Sequence, residues 1–302
     1  MMTVQYSGTL PRLRSFLHKS LREKMRVVHG RAASVLRVLR TLVPVRLPFG
    51  SWWIRRNDNL GEPLMAGRFE TAELAFTGRY LRPGMTVLDV GAHQGLYTLL
   101  AARRVGRRGR VFPFEPSPRE QKALRLHLAL NRCRNVVTQT YALANENGIK
   151  ELFVVQGSQT GCNSLRPPVV FSGTAAVHVE VTRLDDWLAK QKIDRVDFIK
   201  LDVEGAELAV LEGGAELFQR RPRPVLLAEV QDVRTRPWGY AAREILDYLA
   251  KLHYTWFRFS GNGSIEPLNL SGDAFDGNFV ACPEERLEEL RDWIDVSVRA
   301  GH

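Results

Sequence analysis

The sequence predicts an α/β, Rossmann-like fold: a mostly parallel sheet with helices on both faces and an antiparallel terminal strand, preceded by a basic helical N-terminal extension. Three observations predict it. Thr86 to Val90 is a short β-branched, apolar run of the kind that makes a buried parallel strand, and Leu96 to Val105 reads as a helix, so a strand–loop–helix step lies between them. Arg110 to Glu115 repeats the apolar pattern, and Pro116-Ser117-Pro118 then ends a strand and caps a helix running to about Asn131. Val196 to Leu201 is a third such run, followed by a helix expected from Ala206 to about Gln219.

In chain order, residues 12 to 43 alternate basic and apolar residues at helical spacing, with a break near Gly30. No apolar run there approaches the ~18 residues of a membrane span and arginines interrupt every stretch, so the segment is neither a transmembrane helix nor a signal peptide. It suits a peripheral contact with an anionic membrane or an acidic partner, and equally a solvated extension or the arm of a homodimer. Pro44 to Gly61 is irregular and reads as a linker or lid, which divides the chain into residues 1–61, extension and linker, and residues 62–302, the α/β domain. Phe69 to Tyr80 is helical and leads through the turn Leu81-Arg82-Pro83-Gly84 into the first strand. Val136 to Tyr141 is expected as the third strand, and Ile149 to Val155 as an extra hairpin strand whose turn is Asn147-Gly148. Val177 to Thr182 is a strand and Leu184 to Lys190 a helix. A strand at Pro224 to Val230, a helix at Ala241 to Lys251, an antiparallel pair of Tyr254 to Phe259 with Phe275 to Ala281, and a charged helix at Pro283 to Val298 complete the order.

The 302 residues accommodate one α/β domain of about 200 residues plus extensions. Cys133, Cys162 and Cys282 form no CxxC pair and no zinc spacing, which suits a reducing, cytoplasmic setting. Residues 1–46 hold ten Lys or Arg against one Glu, so nearly all of the net +10 belongs to the extension. That distribution argues against a basic nucleic-acid groove across the folded domain.

The loop Asp89-Val90-Gly91-Ala92-His93-Gln94-Gly95 is built to approach a nucleotide-like ligand: Gly91 permits a turn that a Cβ would obstruct, and Gly95 lets the helix start close to the strand. A pyrophosphate wants bare amide donors at such a turn, whereas Asp89 supplies a carboxylate that repels phosphate. A cationic, phosphate-free ligand such as S-adenosylmethionine fits better; the competing reading is an ordinary glycine turn with Asp89 as a helix cap. Glu115, 26 residues after Asp89, stands where an acidic side chain accepts hydrogen bonds from both ribose hydroxyls. Lys200, Asp202, Glu204 and Glu207 follow the third apolar run, and in an open parallel sheet ligands sit outside the carboxyl ends of the strands. The alternative for this cluster is a structural Lys200–Asp202 ion pair with Glu204 and Glu207 capping the next helix. Glu70 and Glu73 are either ligand contacts or a solvated helix face.

These residues together resemble the FkbM family of S-adenosylmethionine-dependent methyltransferases over about residues 68 to 232. The resemblance rests on Val87-Leu88-Asp89-Val90-Gly91-Ala92-His93-Gln94-Gly95-Leu96-Tyr97-Thr98, on Phe114-Glu115-Pro116, on Leu184-Asp185, and above all on Phe198-Ile199-Lys200-Leu201-Asp202-Val203-Glu204-Gly205-Ala206-Glu207; Thr160-Gly161-Cys162-Asn163-Ser164-Leu165 is similar to the family's small polar loop. It implies a seven-stranded methyltransferase sheet, S-adenosylmethionine held by Asp89, Gly91, Ala92, His93, Gly95, Tyr97, Thr98, Glu115, Pro116, Ala142 and Asp202, and methyl transfer to an oxygen of a sugar or other small molecule. The family usually has Asn where this chain has His93, whose charge varies near neutral pH.

Methyl transfer is an in-line displacement at a sulfonium carbon, so the protein aligns the acceptor and excludes water, while a hydroxyl acceptor must also lose a proton. Asp202 or Glu204 is the expected base, with Lys200 orienting the carboxylate or steadying the developing alkoxide; His178 and His253 are alternatives. A divalent metal between Asp202 and Glu229 suits the ligand types, but no spacing demands it and no metal is assigned. Trp52, Trp53, Tyr97, Trp238 and residues 156 to 174 are the expected acceptor contacts. A nicotinamide enzyme would want G-x-G-x-x-G and a methyltransferase acting on nucleic-acid bases an Asn-Pro-Pro-Tyr-like tetrapeptide; the chain has neither. A non-catalytic ligand-binding scaffold with a basic arm is the remaining reading.

Overall fold

The computed structural model describes residues 43–55, 60–261, 263–272 and 274–294. The amphipathic pattern of residues 12 to 43 lies outside them apart from Val43, as does the charged C-terminal segment beyond Ile294. The strands are β1 (Val43–Arg46), β2 (Trp52–Arg55), β3 (Thr86–Val90), β4 (Arg110–Phe114), β5 (Ala142–Ala144), β6 (Gly148–Val155), β7 (Thr174–Arg183), β8 (Phe198–Leu201), β9 (Val225–Gln231), β10 (Tyr254–Gly261), β11 (Ser264–Pro267) and β12 (Asp276–Pro283). The helices are α1 (Gly61–Met65), α2 (Thr71–Tyr80), α3 (Leu96–Val105), α4 (Pro118–Leu130), α5 (Leu184–Gln191), α6 (Glu207–Gly213), α7 (Ala215–Gln219), α8 (Asp232–Thr235) and α9 (Arg243–Lys251). Residues 46–53 and those from Asn57 onward form one compact unit, which holds everything that follows.

Seven strands make one mixed sheet in the order β11-β10-β12-β9-β8-β3-β4. β4, β3, β8 and β9 run parallel, and β12, β10 and β11 add antiparallel pairings, including the expected pair in which Trp256 faces Ala281. Strand residues alternate between two cores, as a period of two requires. Leu88, Ile199 and Leu226 pack with Trp187, Leu211 and Leu246 on one face; Val87, Phe198 and Leu227 pack with Phe76, Tyr80 and Val105 on the other. Both faces are covered, which is why these parallel strands read as nearly unbroken apolar runs.

Five expectations need correction. Pro44 to Gly61, expected to be irregular, takes in most of β1 and all of β2. Val136 to Tyr141 touches β4 only through the Val136 and Gln139 bridges. Pro113, in the middle of β4, has no N–H to donate, so the ladder loses the rung between the bonds Val137 N–H to Val111 O and Gln139 N–H to Pro113 O. The strands flanking Asn147-Gly148 do not form a hairpin: β7 lies between them, parallel to β5 and antiparallel to β6, in a separate three-stranded sheet. The helix from Ala206 to Gln219 divides at Gly214 into α6 and α7, where the absence of a Cβ on Gly213 lets it approach Ala144 O of β5. The charged terminal helix is a 3-10 segment, Glu284–Trp293. Among the described residues no helix is long and apolar enough to cross a membrane.

Candidate active site

The turn after β3 is fixed by two close approaches. Gly91 has φ of 85° and a Cβ there would fall 1.7 Å from the Asp202 carbonyl oxygen; Gly95 has φ of 93° and its Cβ would stand 2.4 Å from the Leu124 side chain. Glycine therefore lets the loop pass the end of β8 and lets α3 begin against α4. The N–H groups of Gly91 and Ala92 both donate to Phe114 O, which ties the turn to the end of β4. Asp89 is buried and accepts the Thr98 hydroxyl from the first turn of α3. Burial lifts its carboxyl to about 6 against that hydrogen bond and the Lys200 charge. Glu115, buried just past β4, accepts the His93 N–H on one oxygen and the Ser117 N–H on the other, each at 2.8 Å. Burial outweighs both and pushes it up to about 8.

Two adjoining chambers lie at the carboxyl ends of the strands. The smaller, about 60 Å³, is walled by Glu115, Pro116, Tyr141, Ala142 and Leu165. The larger, about 250 Å³, is walled by Phe69, Glu70, Asp89, Tyr97, Lys200 and Glu229. Gly91, His93, Gly161, Asp202 and Glu204 line both, so the two spaces meet over the glycine turn and the loop after β8.

The larger chamber carries an excess of carboxyl groups. Lys200 Nζ lies 3.1 Å from Asp202 Oδ2 and from Asn278 Oδ1, and 5.3 Å from the centre of the Tyr97 ring. Burial alone would lower the Lys200 ammonium, but Asp202, Glu70 and Glu229 more than offset it, so the lysine is charged. The Tyr97 hydroxyl donates to Glu70 Oε2 at 2.6 Å, and burial raises the Glu70 carboxyl. Arg234 Nε sits 2.8 Å from Glu204 Oε2 as an ion pair lacking hydrogen-bond alignment. Burial still lifts Glu204 to about 8, and burial beside Asp202 and Glu204 holds Glu229 well above the carboxylate range. One oxygen from each of Asp202, Glu204 and Glu229 lies within 4.8 Å of the others, a set that suits a cationic ligand or a divalent ion.

Of the residues singled out in the sequence, Asp89, Gly91, Ala92, His93, Tyr97, Glu115, Pro116, Ala142, Lys200, Asp202 and Glu204 line one or both chambers. Gly95 and Thr98 stand behind them, shaping the turn and holding Asp89. The His93 ring turns towards the Thr160 loop, with Nε2 3.1 Å from Thr160 Oγ1. Glu207 faces its own loop and accepts the N–H groups of Val203 and Gly205, the capping role named as its alternative. Three of the four aromatic acceptor contacts are corrected. Trp53 is buried with its ring 3.9 Å from His127, Trp52 is bonded to Asn131, and Trp238 lies in a separate cleft under Arg166, leaving Tyr97 in the chamber. His178 and His253 are exposed and line neither space. Asn278 was not foreseen: it sits mid-strand in β12, and only the pairing of β12 with β9 brings it to Lys200.

A parallel sheet with a buried carboxylate before a glycine turn, where a pyrophosphate would be repelled, a second carboxylate at the next strand end placed for ribose hydroxyls, and an acidic crevice beyond suit an S-adenosylmethionine-dependent methyltransferase. The chain belongs to the FkbM methyltransferases: the family described as Methyltransferase FkbM domain matches residues 89–255. Its relatives include the 2-O-methyltransferase NoeI of Sinorhizobium fredii, 28% identical over 56% of this chain and 72% of that one. The 31-O-demethyl-FK506 methyltransferase FkbM of Streptomyces tacrolimicus is 30% identical over 63% of this chain and 82% of its own length. Among solved structures, a methyltransferase FkbM from Methylobacillus flagellatus KT aligns with a TM-score of 0.42 at 16% identity, covering 76% of this chain and 56% of that one.

Proposed function

We propose that this chain transfers the methyl group of S-adenosylmethionine to a hydroxyl oxygen of a small molecule, a sugar among the classes that fit, with residues 62–302 as the catalytic domain and 1–61 as its extension. The junction of the two chambers over Gly91, Asp202 and Glu204 carries this reading. The names of two relatives, a 2-O-methyltransferase and a 31-O-demethyl-FK506 methyltransferase, support oxygen as the acceptor atom. The smaller chamber suits an adenosine, with Glu115 accepting from the ribose hydroxyls and Pro116 and Ala142 beside the base. Asp89 and the bare Gly91 suit a cationic methionine portion.

S-adenosylmethionine supplies an electrophilic methyl carbon when bound. The chain's own contribution is alignment, exclusion of water and a place for one proton. Glu204, near neutral in its proton affinity, takes the hydroxyl proton as the oxygen gains the methyl group, and the sulfonium becomes a neutral thioether. Lys200 fixes Asp202 and steadies negative charge as it develops on the oxygen. Turnover of a panel of hydroxylated small molecules at saturating cofactor tests this. Glu204→Gln and Asp202→Asn are expected to lower kcat by roughly 10²–10⁴-fold. Near-normal turnover in both variants would overturn the base assignment, and cofactor binding without methylation of any hydroxyl would overturn the acceptor class.

A further inference from the structure

The end of the sheet opposite the crevice carries a second charged site. Between Leu96 and Phe114 the sequence has five arginines and no acidic residue, and between Gln121 and Asn145 it has three arginines, one lysine and again no acid. The fold gathers these runs. Arg107 and Arg110 face Arg132 and Arg134 around a groove of about 600 Å³, floored by Ala102, Gly109 and Asn135. All four arginines are exposed, and no carboxylate pairs with any of them among the described residues. The cap nearby is neutral: Asn135 Nδ2 donates to the carbonyls of Ala102, in the last turn of α3, and of Gly106 just beyond it. Four guanidinium groups held around one hollow repel one another, and an anionic ligand relieves that repulsion.

Exposed apolar side chains neighbour Arg132 and Arg134 along the chain or through Asn131. Trp52 donates its N–H to Asn131 Oδ1 and accepts from Asn131 Nδ2, both at 2.7 Å, which fixes the backbone of a tryptophan that is 45% exposed beside Arg132. Leu126 and Leu130, one helical turn apart on α4, and Val137 are also exposed. Arg103 reaches the neighbouring Gly50. Guanidinium groups, an exposed indole on a fixed backbone and exposed leucines make the composition of a surface that sits at the boundary of an anionic bilayer, where cations meet headgroup phosphates and the indole lies among them. A polyribonucleotide would use the arginines but leave these apolar side chains in water.

We propose that this face, built by the C-terminal ends of α3 and α4 and the first residue of β4, docks on anionic phospholipid. Because crevice and groove lie at opposite ends of the parallel strands, docking leaves the crevice open to solution. The test is co-sedimentation of the full chain with vesicles of phosphatidylcholine alone and of an equal mixture with phosphatidylglycerol. Binding to the mixed vesicles only is expected. The combined variant Arg107→Glu, Arg110→Glu, Arg132→Glu, Arg134→Glu should weaken it about tenfold or more, and Trp52→Ala by a smaller factor. Unchanged thermal melting and S-adenosylmethionine affinity in the variants would show that the fold and crevice persist. No wild-type binding to mixed vesicles, binding undiminished by the charge reversals and so owed to the basic extension, or loss of RNA binding rather than vesicle binding would each overturn the proposal.

Discussion

The two ends of the sheet gather opposite kinds of ionisable group. At the carboxyl ends, Glu70, Asp89, Asp202, Glu204 and Glu229 share one chamber with Lys200, and Arg234 pairs with Glu204 from the neighbouring cleft; at the amino ends, four arginines line a groove whose lining holds no acid. Residues 47–302 are close to neutral in sum, so the near-neutral count conceals two unbalanced poles. The difference lies in how each pole is kept. The crevice is buried, so its carboxyls respond by holding protons; the groove is open, and its guanidinium groups stay charged and hydrated. Net charge describes a chain; a fold can place that charge where two different ligands would each cancel part of it.

The comparison breaks most completely at Gly91. Gly91→Ala places a Cβ against the Asp202 carbonyl at a positive φ, and is expected to destabilise the protein by about 3 kcal/mol or more and to abolish cofactor binding, read by denaturant unfolding and calorimetry. A smaller effect concerns protons. Asp89 at about 6, Glu207 at about 7 and Glu115 and Glu204 at about 8 all lie above their unfolded values, so the native state binds more protons than the unfolded chain between about pH 4 and 8. That stability is fully present below the unfolded values and is lost as pH rises through the native ones. Stability without ligand should therefore fall from pH 5 to pH 8.5, by on the order of 1 kcal/mol or more per group, read as a falling melting temperature, and Glu115→Gln should flatten the curve. Turnover runs the other way: because Glu204 must accept a proton, kcat should rise with pH through about 8, and a profile flat from pH 6 to 9 would contradict its role. The smallest effect is salt. Between low and physiological ionic strength the open groove should lose vesicle affinity several-fold while the buried crevice keeps its cofactor affinity nearly unchanged, since exposed charges are screened and buried ones are not.

The residues legible in the sequence are those whose meaning is local. The glycine turn, Asp89, Glu115 and the acidic cluster after β8 each announce themselves within a few residues of a strand end, and the structure brings them to one crevice. Residues whose meaning depends on distant partners were not legible. Pro113 interrupts the ladder to the next segment only because its edge faces Val137. Asn147-Gly148 has hairpin chemistry, yet β7 inserts between its flanking strands, a choice made by the three-stranded sheet as a whole. Glu70, ambiguous on a helical wheel, reaches Tyr97 because it occupies the left-handed position ahead of α2. The arginine groove was hidden by counting, since Arg110 and Arg132 converge only when β4 and the end of α4 meet.

The central claim is that the carboxylates at the ends of β3 and β4 hold S-adenosylmethionine. Calorimetric titration of the full chain with S-adenosylmethionine and, separately, NADH, alongside Glu115→Ala and Asp89→Ala, tests it most directly. Saturable binding of the first ligand alone, weakened roughly tenfold or more in both folded variants, is the predicted result. Equal affinity in wild type and variants, or binding of NADH in its place, would contradict it.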